Sequence, residues 1–222
     1  MFVILTFVGF ILADGIVQYL EARKERPATQ SATPVRPVAH PVLPGGIFVG
    51  GGHTWVEIVR DGRARVGSDA FLTQLLGRIE GVELPRPGQT VKRGETLFVL
   101  HIGSQRAVVQ APVDGVVRRV NNELQAHPQL LFEEPYDEGW ICEVEPRDLG
   151  ADMALLRVGR AAQEWITQEM DRLREFLTRR ANGRFALALP DGGDIRVGVL
   201  ADVDAETWEA FQHEFLQTGH QV

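Results

Sequence analysis

The run TLFVLHIGSQRAVVQAPVDGVVRRV, residues 96–120, decides the fold. It holds three short stretches rich in Val, Leu, Ile and Phe, separated by Gly-Ser-Gln-Arg and by Pro-Val-Asp-Gly, a pattern of strands joined by tight turns. Outward from it, GVELP (81–85) precedes and ICEVEP (141–146) follows, with Pro87-Gly88, Arg93-Gly94 and Asn121-Asn122 as separators. WVEIV (55–59) and ARVG (64–67) flank Arg60-Asp61-Gly62-Arg63, a hairpin signal carried by Asp61-Gly62. Ser68 and Asp69 can cap a short helix whose Phe71, Leu72, Leu75, Leu76 and Ile79 fall on one face. Many short strands with glycines at the corners predict a small β-barrel or sandwich over residues 47–149. An internal echo supports two half-units packed face to face, because PGQTV (87–91) leads into one strand and PVDGVV (112–117) into another.

The flanks differ in kind. FVILTFVGFILA (2–13) is almost purely apolar, and with Ile16, Val17, Tyr19 and Leu20 it reaches the length of a bilayer-spanning helix, roughly 30 Å at 1.5 Å per residue. Positive charges come after it, at Arg23, Lys24 and Arg26, and no positive region precedes it as a cleaved signal peptide would require. Residues 1–22 are therefore read as a single-pass anchor in the inner (cytoplasmic) membrane, contacting the bilayer through 2–20, with the soluble part on the cytoplasmic side. Asp14 is a carboxylate inside that segment and a candidate contact to a partner helix. Residues 23–46 hold five of the twelve prolines and no apolar periodicity, which reads as a semi-extended linker with a solvated His40. Residues 150–222 read as an α+β tail of helix, hairpin and helix. An amphipathic helix of about twenty-five residues carries Leu155, Val158, Ala162, Trp165, Ile166, Met170, Leu173, Phe176 and Leu177. A hairpin pairs 185–189 with 195–200, and a final helix capped by Asp204 bears Trp208, Phe211 and Phe215. A two-stranded hairpin is not stable alone, so the tail must pack its helices over it or dock elsewhere.

Charge and chemistry narrow the function classes. A net charge of −7, with arginines interleaved among Asp and Glu, excludes a basic stripe for nucleic acid. One cysteine, Cys142, excludes an internal disulfide, and no Cys/His spacing fits a metal. Cys142 within its apolar strand reads as a small buried hydrophobe. Val49-Gly50-Gly51-Gly52-His53 is glycine-rich, yet no Lys and no helix N-terminus follows to make a phosphate loop. The 23 basic side chains include 21 Arg and two Lys, Lys24 and Lys92, so any chemistry that needs an amine has two candidates.

The β-rich segment resembles the H protein of the glycine cleavage system over residues 53–149. His53-Thr54-Trp55 is similar to that family's His-x-Trp opening, Val66-Gly67 through Leu75-Leu76-Gly77 to its helix, and Val82-Glu83-Leu84-Pro85 with Gly88 and Val91 to its next strand and turn. Ala111-Pro112-Val113-Asp114-Gly115 is similar to its Ala-Pro-x-x-Gly motif. Asn121, Pro128, Leu130, Glu134-Pro135-Tyr136 and Gly139-Trp140-Ile141 resemble its closing run. The resemblance implies a mainly β fold with α, a lipoyl-like hammerhead barrel with a hairpin tip that carries a lipoylated lysine eight residues before the motif proline. Here that count from Pro112 reaches Ser104, whose hydroxyl cannot form the amide that holds lipoate.

His101 lies three residues from Ser104, but no third residue is placed to orient it as a catalytic base, so no catalytic residue is assigned. His101, Ser104, Gln105 and Arg106 are read as a recognition loop. The expectation is a non-catalytic, membrane-tethered docking subunit, without cofactor or metal, whose partners are other protein subunits of a membrane complex, with redox or electron-transfer complexes as one candidate class. Two alternatives stand beside it: a lipoyl carrier of glycine cleavage or related one-carbon or sulfur metabolism, and an adaptor of an export pump. Such adaptors place a long helical hairpin between their half-barrels, whereas a few residues join the halves here.

Overall fold

A computed structural model describes residues 36–180 and 195–217. The anchor (1–22), Asp14, the first part of the linker and the 185–189 strand of the tail hairpin lie outside the described residues. Among those described, no helix is long and apolar enough to cross a membrane.

The strand-like runs become ten strands: β1 Phe48–Val49, β2 Thr54–Ile58, β3 Ala64–Ser68, β4 Gly81–Glu83, β5 Thr90–Val91, β6 Thr96–Ile102, β7 Gln105–Gln110, β8 Gly115–Val120, β9 Trp140–Pro146 and β10 Arg157–Val158. They form two antiparallel sheets, one ordered β10-β1-β2-β3-β9-β8-β5 and the other β4-β6-β7. Helices α1 Ala70–Leu76, α2 Glu123–Ala126, α3 Leu130–Glu133, α4 Leu149–Met153, α5 Gly159–Arg180 and α6 Ala205–Phe211 complete the unit. As expected, Asp69 caps α1, its side chain accepting from the Leu72 amide at 2.9 Å. Asp204 caps α6 in the same way through Thr207. Each cap satisfies an amide that the helix cannot, a contribution of about 1 kcal/mol.

One core joins barrel and tail. Trp55, Phe71, Leu72, Leu75, Phe98 and Leu100 come from the barrel, and Ile166, Leu173, Phe176, Phe211 and Phe215 from the tail, all at most 1% exposed. Trp55 shows why the register is fixed. It pairs with Gly67, its indole lies where a Cβ on Gly67 would stand (2.5 Å from the ring), and its Nε1 donates to the Pro135 carbonyl at 2.8 Å.

The motifs that carry the family resemblance serve the scaffold in the same manner. Asn121 Nδ2 donates to the Glu138 and Trp140 carbonyls at 2.8 and 2.9 Å, and the Tyr136 hydroxyl accepts from the Ala70 amide at 3.1 Å. Gly115 passes against the Glu145 carbonyl with no room for a side chain. On the outer face of β2-β3-β9-β8, the buried Glu143 carboxylate meets Arg63, Arg65 and Arg119 at 3.1–3.3 Å. Arg65 and Arg119 also lie over the Trp140 ring, each 5.4 Å from its centre. Planar guanidiniums can pair and stack at once, which a lysine ammonium cannot, and this accounts for part of the arginine excess.

Three readings of the sequence are corrected. Residues 36–43 do not hang free as linker, because Val38 and Pro41 are buried. Their backbone is held by the Gln74 and Gln163 side chains and by pairing of Arg36–Val38 with Ile195–Val197. The long helix begins only at Gly159 (φ 59°), so Leu155 and Val158 lie outside it, 59% and 43% exposed, and Val158 pairs with Phe48 instead. Val199–Asp202 forms a 3₁₀ turn against α1 rather than the second strand of a hairpin, since Gly198 adopts φ 76° and its amide donates to the Gln74 carbonyl.

Candidate functional site

The sequence-defined tip is a tight hairpin. Ile102 pairs with Gln105, leaving Gly103-Ser104 as a two-residue turn, with positive φ at Gly103 and none at Ser104, the type II′ arrangement. Both turn residues are exposed. This turn offers a hydroxyl and no amine. Lys92 is exposed in the turn between β5 and β6, at the opposite end of the seven-residue β6. That places it about 20 Å away along the strand.

His101 does not turn toward Ser104. Its Nε2 lies 2.8 Å from Glu83 Oε1, and Arg106 Nη2 donates to the same oxygen at 2.9 Å. The register explains this, since His101 stands beside Gly81 on β4 and opposite Arg106 on β7. The His101 contact foremost, with Arg106 beside it, holds the Glu83 carboxyl below the usual carboxylate range. The result is an exposed charged clamp across the three strands of the small sheet.

Gln105 is committed elsewhere, its Nε2 donating to the Val203 carbonyl at 3.1 Å. Three strand positions later, the Val108 amide donates to Gln212 Oε1 at 3.0 Å. The C-terminal tail therefore closes the free edge of β7, the strand that leaves the tip. Of the residues read as recognition contacts, Ser104 and Arg106 are exposed, His101 is half-buried in the clamp, Gln105 is tied to the tail, and Asp14 lies outside the described residues. Trp208, Phe211 and Phe215 of the tail are buried and offer no contact surface.

What the sequence reading missed is His53. It is fully buried with φ 57°, its Nδ1 3.0 Å from Asp69 Oδ2 and its Nε2 3.6 Å from Glu169 Oε2, an ion-pair distance on the second side. Phe71 stacks on the ring at 4.3 Å and Trp165 at 5.1 Å. Burial would lower its pKa, but the adjacent Asp69 and then Glu169 outweigh that and raise it to about 9, so the imidazole is a buried cation. The same partnership, together with Arg172 at 3.1 Å, holds Glu169 below its ordinary value despite its burial. His53 comes from the β1–β2 turn, Asp69 caps α1 and Glu169 belongs to α5, so three elements meet at one charge. A lone His between glycines and Trp55 gave the signal, with a capping aspartate sixteen residues later. Glu169, far along the chain, had no local mark. Cys142 is buried as expected, its thiol pushed up to about 12 by burial and by Glu143.

A two-sheet barrel that displays a tight hairpin tip, clamped by a charged triad, is the class of protein defined so far. Residues 50–169, more than half of the chain, match the family model described as Glycine cleavage H-protein. The glycine cleavage system H protein of Coprothermobacter proteolyticus is 39% identical over 97 residues, 44% of this chain and 76% of that one. The probable glycine cleavage system H protein of Pyrococcus furiosus is 33% identical over 121 residues, 54% of this chain and 90% of that one. A crystal structure of a glycine cleavage system H protein from Mycobacterium marinum aligns over 57% of this chain and 98% of its own, at 28% identity and a TM-score of 0.48. The chain belongs to the glycine cleavage H-protein family.

Proposed function

We propose that this chain is a non-catalytic docking subunit of a membrane-associated complex, an H-protein barrel whose tip recognises a protein partner instead of carrying lipoate. The observation that carries the reading is the Gly103-Ser104 turn, where the family resemblance places the acceptor lysine and this chain offers a hydroxyl. A serine cannot form the amide of a lipoyl arm. The exposed Ser104 and Arg106 and the half-buried His101 remain available as contacts, on a hairpin stiffened by the Glu83 clamp and by the tail. The apolar segment 2–20 tethers the chain to the inner membrane with the barrel on the cytoplasmic side, and a carboxylate within that segment, Asp14, supports a partner in the bilayer. Other protein subunits, not nucleic acid, are the partners, with a redox or electron-transfer complex as the class nearest to the family's own carriers.

Gentle detergent extraction of the full chain, tagged at Val222, tests this. A defined set of proteins co-purifies, and Ser104→Trp or Arg106→Glu releases it while leaving the unfolding midpoint in place. Recovery of a clean monomer, or retention of the partners by both variants, sinks the docking reading. Family membership itself favours a second reading, a lipoyl carrier, in which Lys92 would be the acceptor.

A further inference from the structure

The glycine run Gly50-Gly51-Gly52 borders a cavity of about 630 Å³ between the barrel and its tail. That size falls among small-molecule sites, which run to about 300–1,000 Å³. Gly50 keeps one wall thin. A Cβ there would meet Thr54 Oγ1 at 3.1 Å and Leu156 and Pro112 at 3.4 Å, all of which line the space.

Three guanidiniums face this cavity, from three different elements: Arg93 on the β5–β6 turn, Arg157 on β10 and Arg172 on α5. Arg93 pairs with Asp152 at 3.2 Å. Arg172 is held by Glu169 at 3.1 Å and by the Glu214 carbonyl. Arg157 pairs with no carboxylate among the described residues and lies over the face of Trp165, 5.1 Å from the ring centre, at the cavity wall. The two carboxylates in the lining, Glu169 and Glu214, are each already neighboured by arginine, Glu169 by Arg172 and Glu214 by Arg179 at 3.4 Å. Behind Glu169 stands the buried cationic His53. The lining thus leaves one positive charge, Arg157, in a chain whose net charge is −7. A guanidinium positioned on an aromatic face and facing a cavity is built to take a planar or tetrahedral oxyanion.

We propose that this cavity binds a small organic anion, a carboxylate or phosphate ester, with Arg157 as its principal ligand and Arg93 as a secondary one. The site is distinct from the hairpin tip, about 20 Å away along the six residues of β7. It does not depend on whether the tip docks a protein. Four of the residues around it, Arg172, His213, Glu214 and Gln217, lie beyond the segment that matches the family model, so the tail completes the site.

Titration of the full chain with inorganic pyrophosphate and, separately, with citrate, at fixed ionic strength, tests the proposal by heat and by tryptophan fluorescence, since Trp165 forms part of the wall. Saturable one-to-one binding of either probe is expected. Arg157→Gln should weaken it about tenfold or more, the usual cost of losing one charge-assisted contact. Arg160→Gln, whose side chain is 91% exposed on α5, serves as the control and should bind as the parent does. An unchanged unfolding midpoint shows that Arg157→Gln still folds. Absence of saturable binding by both probes, or equal binding by Arg157→Gln and the parent, overturns the proposal.

Discussion

Two histidines in this molecule sit in clusters of similar chemistry and opposite surroundings, one with a single carboxylate and one with two. His101 shares Glu83 with Arg106 on the outside of the small sheet, all three side chains more than a third exposed. His53 joins Asp69 and Glu169, the latter paired with Arg172, at the junction of barrel and tail, where the imidazole is wholly out of water. Water screens the first cluster, so its ion pairs orient side chains and add little stability. In the second, removing one charge strands the others in a medium that cannot solvate them. The outer cluster fixes exposed side chains beside the hairpin tip, and the inner one joins barrel to tail.

The largest break in that comparison is His53→Ala. It leaves two carboxylates facing a cavity between Phe71 and Trp165, and a loss of about 3–5 kcal/mol in urea-unfolding free energy is expected. A loss no larger than that of a surface substitution would mean that His53 is not a buried cation.

Proton linkage gives the next effect. The folded value of about 9 lies above the ordinary 6.5, so the stabilisation is complete below pH 6.5 and is lost as pH rises through 9. The unfolding free energy should therefore fall between pH 7 and 10, by an amount on the order of 3 kcal/mol at the high end. The same fall in His53→Ala would assign the pH dependence to other groups.

A smaller effect concerns the tail. Gln212→Ala removes the acceptor of the Val108 amide, costs about 1 kcal/mol, and speeds hydrogen exchange at Val108 above all. Unaltered protection at Val108 would show that the tail does not close the β7 edge. Smallest of all is Glu83→Gln, which leaves the midpoint where it is and moves only the NMR resonances of the His101 and Arg106 side chains that Glu83 holds. A marked destabilisation there would erase the distinction between the two clusters.

How legible these features were in the sequence follows from how local they are. The barrel strands were readable because alternation, Asp61-Gly62 and Gly103-Ser104 act within a few residues, and the α1 and α6 caps within three. The tip was equally local, a count of positions back from Pro112. The buried cluster was not, since His53 and Glu169 are brought together only by the docking of α5 on the β1–β2 turn. The prolines of 23–46 pointed to a semi-extended linker, and nothing local showed that the side-chain amides of Gln74 and Gln163 would hold its end at Ala39 and Leu43. Leu155 and Val158 matched a helical period by spacing alone, and the positive φ of Gly159 cut them off. The cavity beside Arg157 needed six separate segments to converge, and only the glycine run hinted at it.

In the proposed function, a family scaffold presents a tip without an arm. Intact-mass measurement of the full chain purified from its own cells, followed by peptide mapping, tests it most directly. An unmodified mass, with Lys92 and Ser104 both recovered free, is the predicted result. A lipoyl or biotinyl increment, on Lys92 or any other residue, would contradict the account and make the chain a carrier.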